Sequence, residues 1–248
     1  MCLMEIPFGI STEGKLVSIP LNILHRNHCS IVGAPGSGKS TLLKTIIYSI
    51  ANNYNCTQMA VWTDYFYHNS EKCQNNSVIE VNIQNISHDE RMVLLIDKLY
   101  EEAKNRLQII SLKGVSLYRQ VDCLPLLIAV IDDFHPFDYS KNGLCTQEKL
   151  MNVLLMSHRV GISIVCSSQL SLSKLNGTPP GMVGLFNVKI ALQNFQDNIF
   201  DTLNISPNMA SVELKEAINS LSSGRTGEFI YYNQYESGAF VSGQVTRQ

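Results

Sequence analysis

The chain has 248 residues, 45% hydrophobic and 16% charged, which is the balance of an ordinary globular protein and excludes a disordered or low-complexity chain. A net charge of −2 gives no broad basic surface for sequence-independent nucleic-acid binding. Seven cysteines, an odd number without C-x-x-C spacing, point to free thiols in a reducing compartment and not to a disulfide frame.

In chain order, the first predicted element is an edge strand over Lys15-Leu-Val-Ser-Ile-Pro20, after a Gly-containing turn, with the proline at its end suited to an edge. His28 to Val32 then reads as a short buried strand that runs into a glycine-rich loop. Leu42, Leu43, Ile46, Ile47 and Ile50 follow at helical spacing. Gln58 to Thr63 and Val78 to Asn82 are strand-like. Met92, Ile96, Leu99, Ala103, Leu107 and Ile110 form one stripe of a long helix beginning near Ser87, where Ser87 and Glu90 have capping-box spacing.

Leu126 to Ile131 is continuously apolar and ends in two aspartates, the pattern of a parallel strand buried on both faces. A helix around Gln147 to His158 leads through Gly161 into a strand over Ile162 to Cys166, and Val188 to Leu192 supplies another. Strands alternating with helices predict an α/β fold with a mostly parallel sheet flanked by helices. Glu228 to Tyr232 and Ala239 to Val241 read as a C-terminal antiparallel hairpin closing the sheet. The expected organisation is a single domain, 1–248, with an edge segment at 1–25 and a core at 26–248. No apolar run approaches the roughly 20 residues that cross a bilayer.

Gly33-Ala34-Pro35-Gly36-Ser37-Gly38-Lys39-Ser40 fits the Walker A pattern G-x-x-x-x-G-K-[ST], between a predicted strand and a predicted helix as the motif requires. The glycines let backbone N–H groups turn inward around phosphate oxygens, and the helix N-terminus adds partial positive charge. Lys39 is expected to reach the β- and γ-phosphates, Ser40 to ligate Mg2+, and Thr41 to donate to a phosphate. Asp132, at the carboxyl end of the apolar strand, is positioned to hold Mg2+ through water. Asp133 stands where many such ATPases carry a glutamate base; it reads equally as that base or as a structural residue. Gln169 ends the next strand and is a candidate γ-phosphate sensor. Arg159 and Arg225 are candidates for completing a neighbouring subunit's site. His25 and His28 form a weak metal pair for which packing is the better reading, so no metal site is assigned to protein ligands alone. Tyr65-Phe-Tyr67 is read as strand-end packing before a partner surface.

The motif order resembles the FtsK/SpoIIIE family: Ile6-Pro-Phe-Gly9, His28 through Ser40, the aspartate-tipped strand, Arg159-Val-Gly-Ile-Ser-Ile-Val-Cys-Ser-Ser-Gln169, and Lys189-Ile-Ala-Leu192 with Asp197 beyond. The resemblance implies a RecA-like P-loop NTPase that binds ATP and assembles with neighbouring ATPase modules or as a homo-oligomer. Asp132-Asp133-Phe134 is more similar to the C-terminal ATPase modules of EccC/EssC-type coupling proteins of type VII secretion. That implies small helical secreted proteins as substrates, low intrinsic turnover, and a place at the cytoplasmic face of the membrane reached through other segments. The alternatives are a double-stranded DNA translocase, which the near-neutral charge weakens, and a nucleotide-dependent interaction module with little hydrolysis.

Overall fold

In the computed structural model the described residues are 5–54, 59–63, 78–80, 87–122, 124–135, 143–175, 178, 181–193, 199–222, 225–234 and 240–246. Strands β1 (Glu5–Ser11), β2 (Leu16–Pro20), β3 (Cys29–Val32), β4 (Met59–Thr63), β5 (Val78–Glu80), β6 (Leu126–Ile131), β7 (Ile162–Ser168), β8 (Val188–Leu192), β9 (Glu228–Asn233) and β10 (Phe240–Val245) form one ten-stranded sheet. Their order is β2-β1-β10-β9-β8-β3-β7-β6-β4-β5. The run from β8 to β5 is parallel, and β9, β10, β1 and β2 extend it antiparallel.

The helices are α1 (Leu21–Leu24), α2 (Lys39–Asn53), α3 (His88–Leu112), α4 (Gly143–Val160), α5 (Ile199–Leu203) and α6 (Val212–Ser222). β3, β6, β7 and β8 are buried along their whole length, which is why they read as unbroken apolar runs and not as alternating ones. On β8 and β9 the two-residue period divides the core: Ile190, Leu192, Phe229 and Tyr231 join the main cluster, whereas Ala191 and Ile230 pack with Leu203, Leu214, Ile218 and Leu221 of α5 and α6.

The capping box at α3 is present: Glu90 N donates to Ser87 Oγ and Ser87 N donates to Glu90 Oε2. The apolar stripe of that helix packs on the core, with Leu107 half-buried and with Leu95 and Arg106 added to the buried face. Arg106 is buried; it donates to Glu102 Oε1 at 2.7 Å and to the carbonyls of Pro125, Val160 and Gly161 at 2.8, 3.0 and 3.1 Å. A guanidinium fork can satisfy several acceptors at once, so this one joins α3 to the α4–β7 turn.

Three further differences have physical causes. β1 is absent from the predicted elements because Pro7 interrupts its pattern; the strand accommodates the proline beside a register shift between Pro7 and Gly9. The β9–β10 hairpin does not close the sheet, since β10 pairs with β1 and leaves β2 as the edge. α6 lies outside the predicted elements although its signals are local: Ser211 Oγ accepts from Leu214 N at 3.2 Å, and Leu214, Ile218 and Leu221 recur at helical spacing. His25 and His28 take the packing role. His28 is fully buried, with Ile164 N donating to Nδ1 at 2.9 Å and Nε2 donating to Leu154 O at 3.3 Å. The Tyr65-Phe-Tyr67 stretch and Asp197 lie outside the described residues. Among the described residues, no helix is long and apolar enough to cross a membrane.

Candidate functional site

The carboxyl ends of β3, β7 and β6 lie side by side, and each delivers polar residues to one edge of the sheet. From β3 the chain enters the Gly33–Ser40 loop and then α2. Gly33 has to be glycine, because a Cβ there would meet Ser37 Oγ at 2.4 Å and Leu192 Cβ at 2.8 Å. Gly38 caps α2 at φ 105°, a left-handed conformation that other residues adopt only at a cost. The first turn of α2 carries no acidic residue, so the positive end of the helix dipole and its unpaired N–H groups face outward uncompensated.

Lys39 is buried, and its ammonium donates to Gly33 O at 2.8 Å and Ala34 O at 3.0 Å. Burial lowers its pKa, while the negative charges of Asp133 and Asp132 oppose that shift. Ser40 Oγ donates to Asp132 Oδ2 at 2.9 Å, linking the loop to the end of β6 across the intervening β7. Asp132 Oδ1 accepts from Ser167 Oγ and from Asp133 N at 3.0 Å. Ser167 is the site residue that the sequence reading missed. Within Cys166-Ser-Ser-Gln169 nothing distinguishes it until β7 is placed between β3 and β6.

Asp133 is exposed and has φ 51°, one of two non-glycine residues in this region among the described ones. Asp133 N donates to Ser167 Oγ at 2.9 Å and Phe134 N donates to Ser167 O at 2.6 Å, so the strained turn is held by β7. Gln169 Nε2 donates to Asp133 Oδ1 at 3.3 Å. The turn before β9 also reaches the loop, with Gly227 N donating to Ser37 O at 2.9 Å. This puts Arg225, exposed two residues earlier, on the loop side of the sheet. Thr41 is exposed at the start of α2.

Arg159 is not brought to this cluster. It is exposed at the end of α4, just before β7 begins, and β7 then runs seven residues to reach the site. At about 3.3 Å per residue that is about 23 Å away, so any nucleotide Arg159 touches belongs to another copy or module.

The donor set suits a magnesium nucleotide. Ser40 Oγ and Asp132 Oδ2 are hard oxygens of the kind Mg2+ selects, and the 2.9 Å hydrogen bond between them brings the two to one place, Ser40 as a direct ligand and Asp132 as a partner for a metal-bound water. A phosphate loop on one central strand, with an aspartate on the next strand but one, defines a RecA-like P-loop NTPase.

The model of the FtsK/SpoIIIE family matches residues 3–122. The type VII secretion system protein EssC of Staphylococcus aureus strain N315 is 22% identical over 185 residues, covering 73% of this chain and 12% of the relative. The chain therefore spans about an eighth of the curated relatives' length. Among solved structures, the cytoplasmic domain of the Thermomonospora curvata type VII secretion ATPase EccC matches with TM-score 0.70 at 16% identity, over 98% of this chain and 28% of that one. ATPases 2 and 3 of Geobacillus thermodenitrificans EssC match at TM-score 0.65 and 17% identity, over 98% and 44%. The pCW3 conjugation coupling protein TcpA matches at 0.68 and 18%, over 98% and 66%. These likenesses show the fold. The family match takes in 120 of the 248 residues, the phosphate loop among them, and with that loop's geometry it supports a P-loop ATPase. The family match ends before Asp132, so the parts given to Asp132, Asp133 and Gln169 rest on the geometry above.

Proposed function

We propose that this chain is a Mg-ATP-dependent module of a type VII secretion coupling protein, which recognises or drives small helical protein substrates at the cytoplasmic face of a membrane. The observation that carries the nucleotide half is the convergence of Lys39, Ser40, Asp132 and the Asp133–Gln169 pair at one edge of the sheet. The relatedness to EssC and the likeness to EccC support the secretion half. One solved neighbour is described as EccC in complex with a signal sequence peptide, which makes a short peptide the natural probe.

Lys39 would exchange its two carbonyl acceptors for phosphate oxygens, and the N–H groups of Gly36 and of Gly38 to Thr41 would cradle the same phosphates, those of Gly33, Ala34 and Ser37 being given to backbone carbonyls. Ser40 and Asp132 would hold Mg2+, which neutralises charge on the transferred phosphoryl group. Asp133, exposed beside them, would orient and deprotonate the attacking water, with Gln169 fixing its carboxylate. Arg225 and Arg159 would serve neighbouring modules or copies, from the loop side and the opposite edge respectively.

The test is ATP binding and steady-state turnover of the chain and of Lys39→Ala, with and without a signal-sequence peptide or duplex DNA, at two salt concentrations. Binding abolished by Lys39→Ala, with slow turnover indifferent to DNA, is the expected result. Salt-sensitive stimulation by DNA would replace the secretion reading with a DNA translocase. Binding without any turnover would make the chain an interaction module, and intact binding in Lys39→Ala would sink the site itself.

A further inference from the structure

Beside the nucleotide site, the start of α3 and the segment after β6 bring together three side chains that the proposed ATPase chemistry does not use. His88, Asp89 and His135 each offer one donor atom, and these atoms all lie within 4.8 Å of one another. Asp89 Oδ1 is 3.0 Å from His135 Nε2 and 4.0 Å from His88 Nδ1. The two imidazole rings are 5.8 Å apart at 46° to each other.

We propose that His88, Asp89 and His135 form a binding site for a first-row transition-metal dication, Zn2+ foremost, with a coordination position open to solvent. Two imidazole nitrogens and a carboxylate oxygen suit Zn2+ and its neighbours, whereas Mg2+ and Ca2+ select all-oxygen sets. Bonds of about 2.0 Å in a tetrahedral site separate the donors by about 3.3 Å, between the two distances observed. Asp89 is 69% exposed and its carboxylate is free to turn toward His88, while the two imidazoles close the remaining gap by rotating their side chains.

The second observation is the bond on the far side of His88. Its Nε2 donates to the backbone carbonyl of Asp132 at 2.9 Å. A ligating histidine characteristically gives its other ring N–H to a carbonyl or carboxylate, which fixes the tautomer and turns the remaining nitrogen's lone pair toward the metal. Here that arrangement presents Nδ1 to Asp89. The carbonyl belongs to the residue whose carboxylate meets Ser40, so the metal would clamp the start of α3 to the end of β6 next to the nucleotide.

The site was out of reach of sequence spacing. His135 follows Asp89 by 46 residues, and no short ligand motif joins them. The inference does not depend on ATP turnover, because none of its three residues belongs to the phosphate loop.

The experiment is titration of the full chain with Co2+ followed by visible absorption, then displacement with Zn2+, in the parent, His135→Ala, Asp89→Asn and Lys39→Ala. One equivalent of Co2+ without a thiolate charge-transfer band, displaced by Zn2+ and unchanged in Lys39→Ala, is expected. His135→Ala should weaken Zn2+ binding at least about 100-fold, a lost ligand costing at least as much as a lost outer partner. Asp89→Asn, which keeps the residue's shape, should weaken it in the same direction. Melting in the presence of EDTA should be the same for the parent and the His135→Ala and Asp89→Asn variants, and Zn2+ should raise the melting temperature of the parent and of Lys39→Ala but not of His135→Ala. Parent affinity no tighter than about 1 mM, or equal affinity in His135→Ala and the parent, would overturn the proposal and leave His135–Asp89 as an ordinary surface ion pair.

Discussion

Ser167 does more at the site than its place in the sequence suggests. Its hydroxyl donates to Asp132 Oδ1 and accepts from Asp133 N, so a single oxygen fixes the Asp132 carboxylate and the backbone turn that follows it. Ser167→Ala would take one partner from the buried Asp132 carboxylate and one of two acceptors from Asp133 N, and it should lower unfolding stability in urea by about 1–3 kcal/mol and reduce turnover too. Asp133 permits a cleaner separation of chemistry from structure. Its backbone sits at φ 51°, a region asparagine also tolerates. Asp133→Asn should therefore keep the melting temperature and ATP affinity while turnover falls by about 100-fold or more, the scale of an absent general base. Unchanged turnover would assign Asp133 to the turn's geometry alone.

At the scale of elements, α3 is the helix whose sequence signals and tertiary role diverge most. Its N-terminus is set locally, by the Ser87–Glu90 box, and Ser87→Ala should cost about 1 kcal/mol in a chemical denaturation curve. Its C-terminal half is held by tertiary structure through Arg106. Removing that guanidinium takes a donor from Glu102 and from three carbonyls, of which Gly161 O keeps Leu127 N, so Arg106→Met should destabilise by about 3–5 kcal/mol. Arg106→Lys should not restore the loss, because an ammonium lacks the planar fork that reaches several acceptors. Both variants leave the nucleotide cluster untouched, and ATP affinity measured below their melting temperatures should match the parent.

For the whole molecule, two buried bases set the dependence of stability on pH in different windows. His28 is fully buried and neutral, with both ring nitrogens committed; burial lowers its pKa from 6.5 to about 4. Between those values the unfolded chain binds the proton that the folded chain refuses. Stability should thus fall as pH drops from 6.5 towards 4, by a total on the order of 3 kcal/mol, and His28→Gln should flatten that part of the curve. Lys189, buried in β8 with its amine donating to Leu203 O at 3.1 Å, is lowered by burial from 10.5 to about 8. The same sign applies at the alkaline end: its neutral form is favoured on folding, so Lys189 should add stability as pH rises from 8 to 10.5. Equilibrium urea melts across both windows would show whether the two slopes occur.

What the sequence by itself determined were features fixed over a few consecutive residues. The phosphate loop between β3 and α2, the capping box of α3, the buried β6 with Asp132 at its tip and the alternation of strands with helices are all of this kind. In each, backbone conformation, helix capping or burial on both faces restricts which residues can follow one another, so the constraint is written locally. Only the tertiary structure decided that β7 lies between β3 and β6, that the β9–β10 hairpin is interior to the sheet, and that Arg106 is a core residue. It also decided that Arg159 stands away from the cluster, and that His88, Asp89 and His135 meet beside Asp132. These depend on which strand pairs with which, and a pairing between residues dozens of positions apart leaves no period or spacing in the chain.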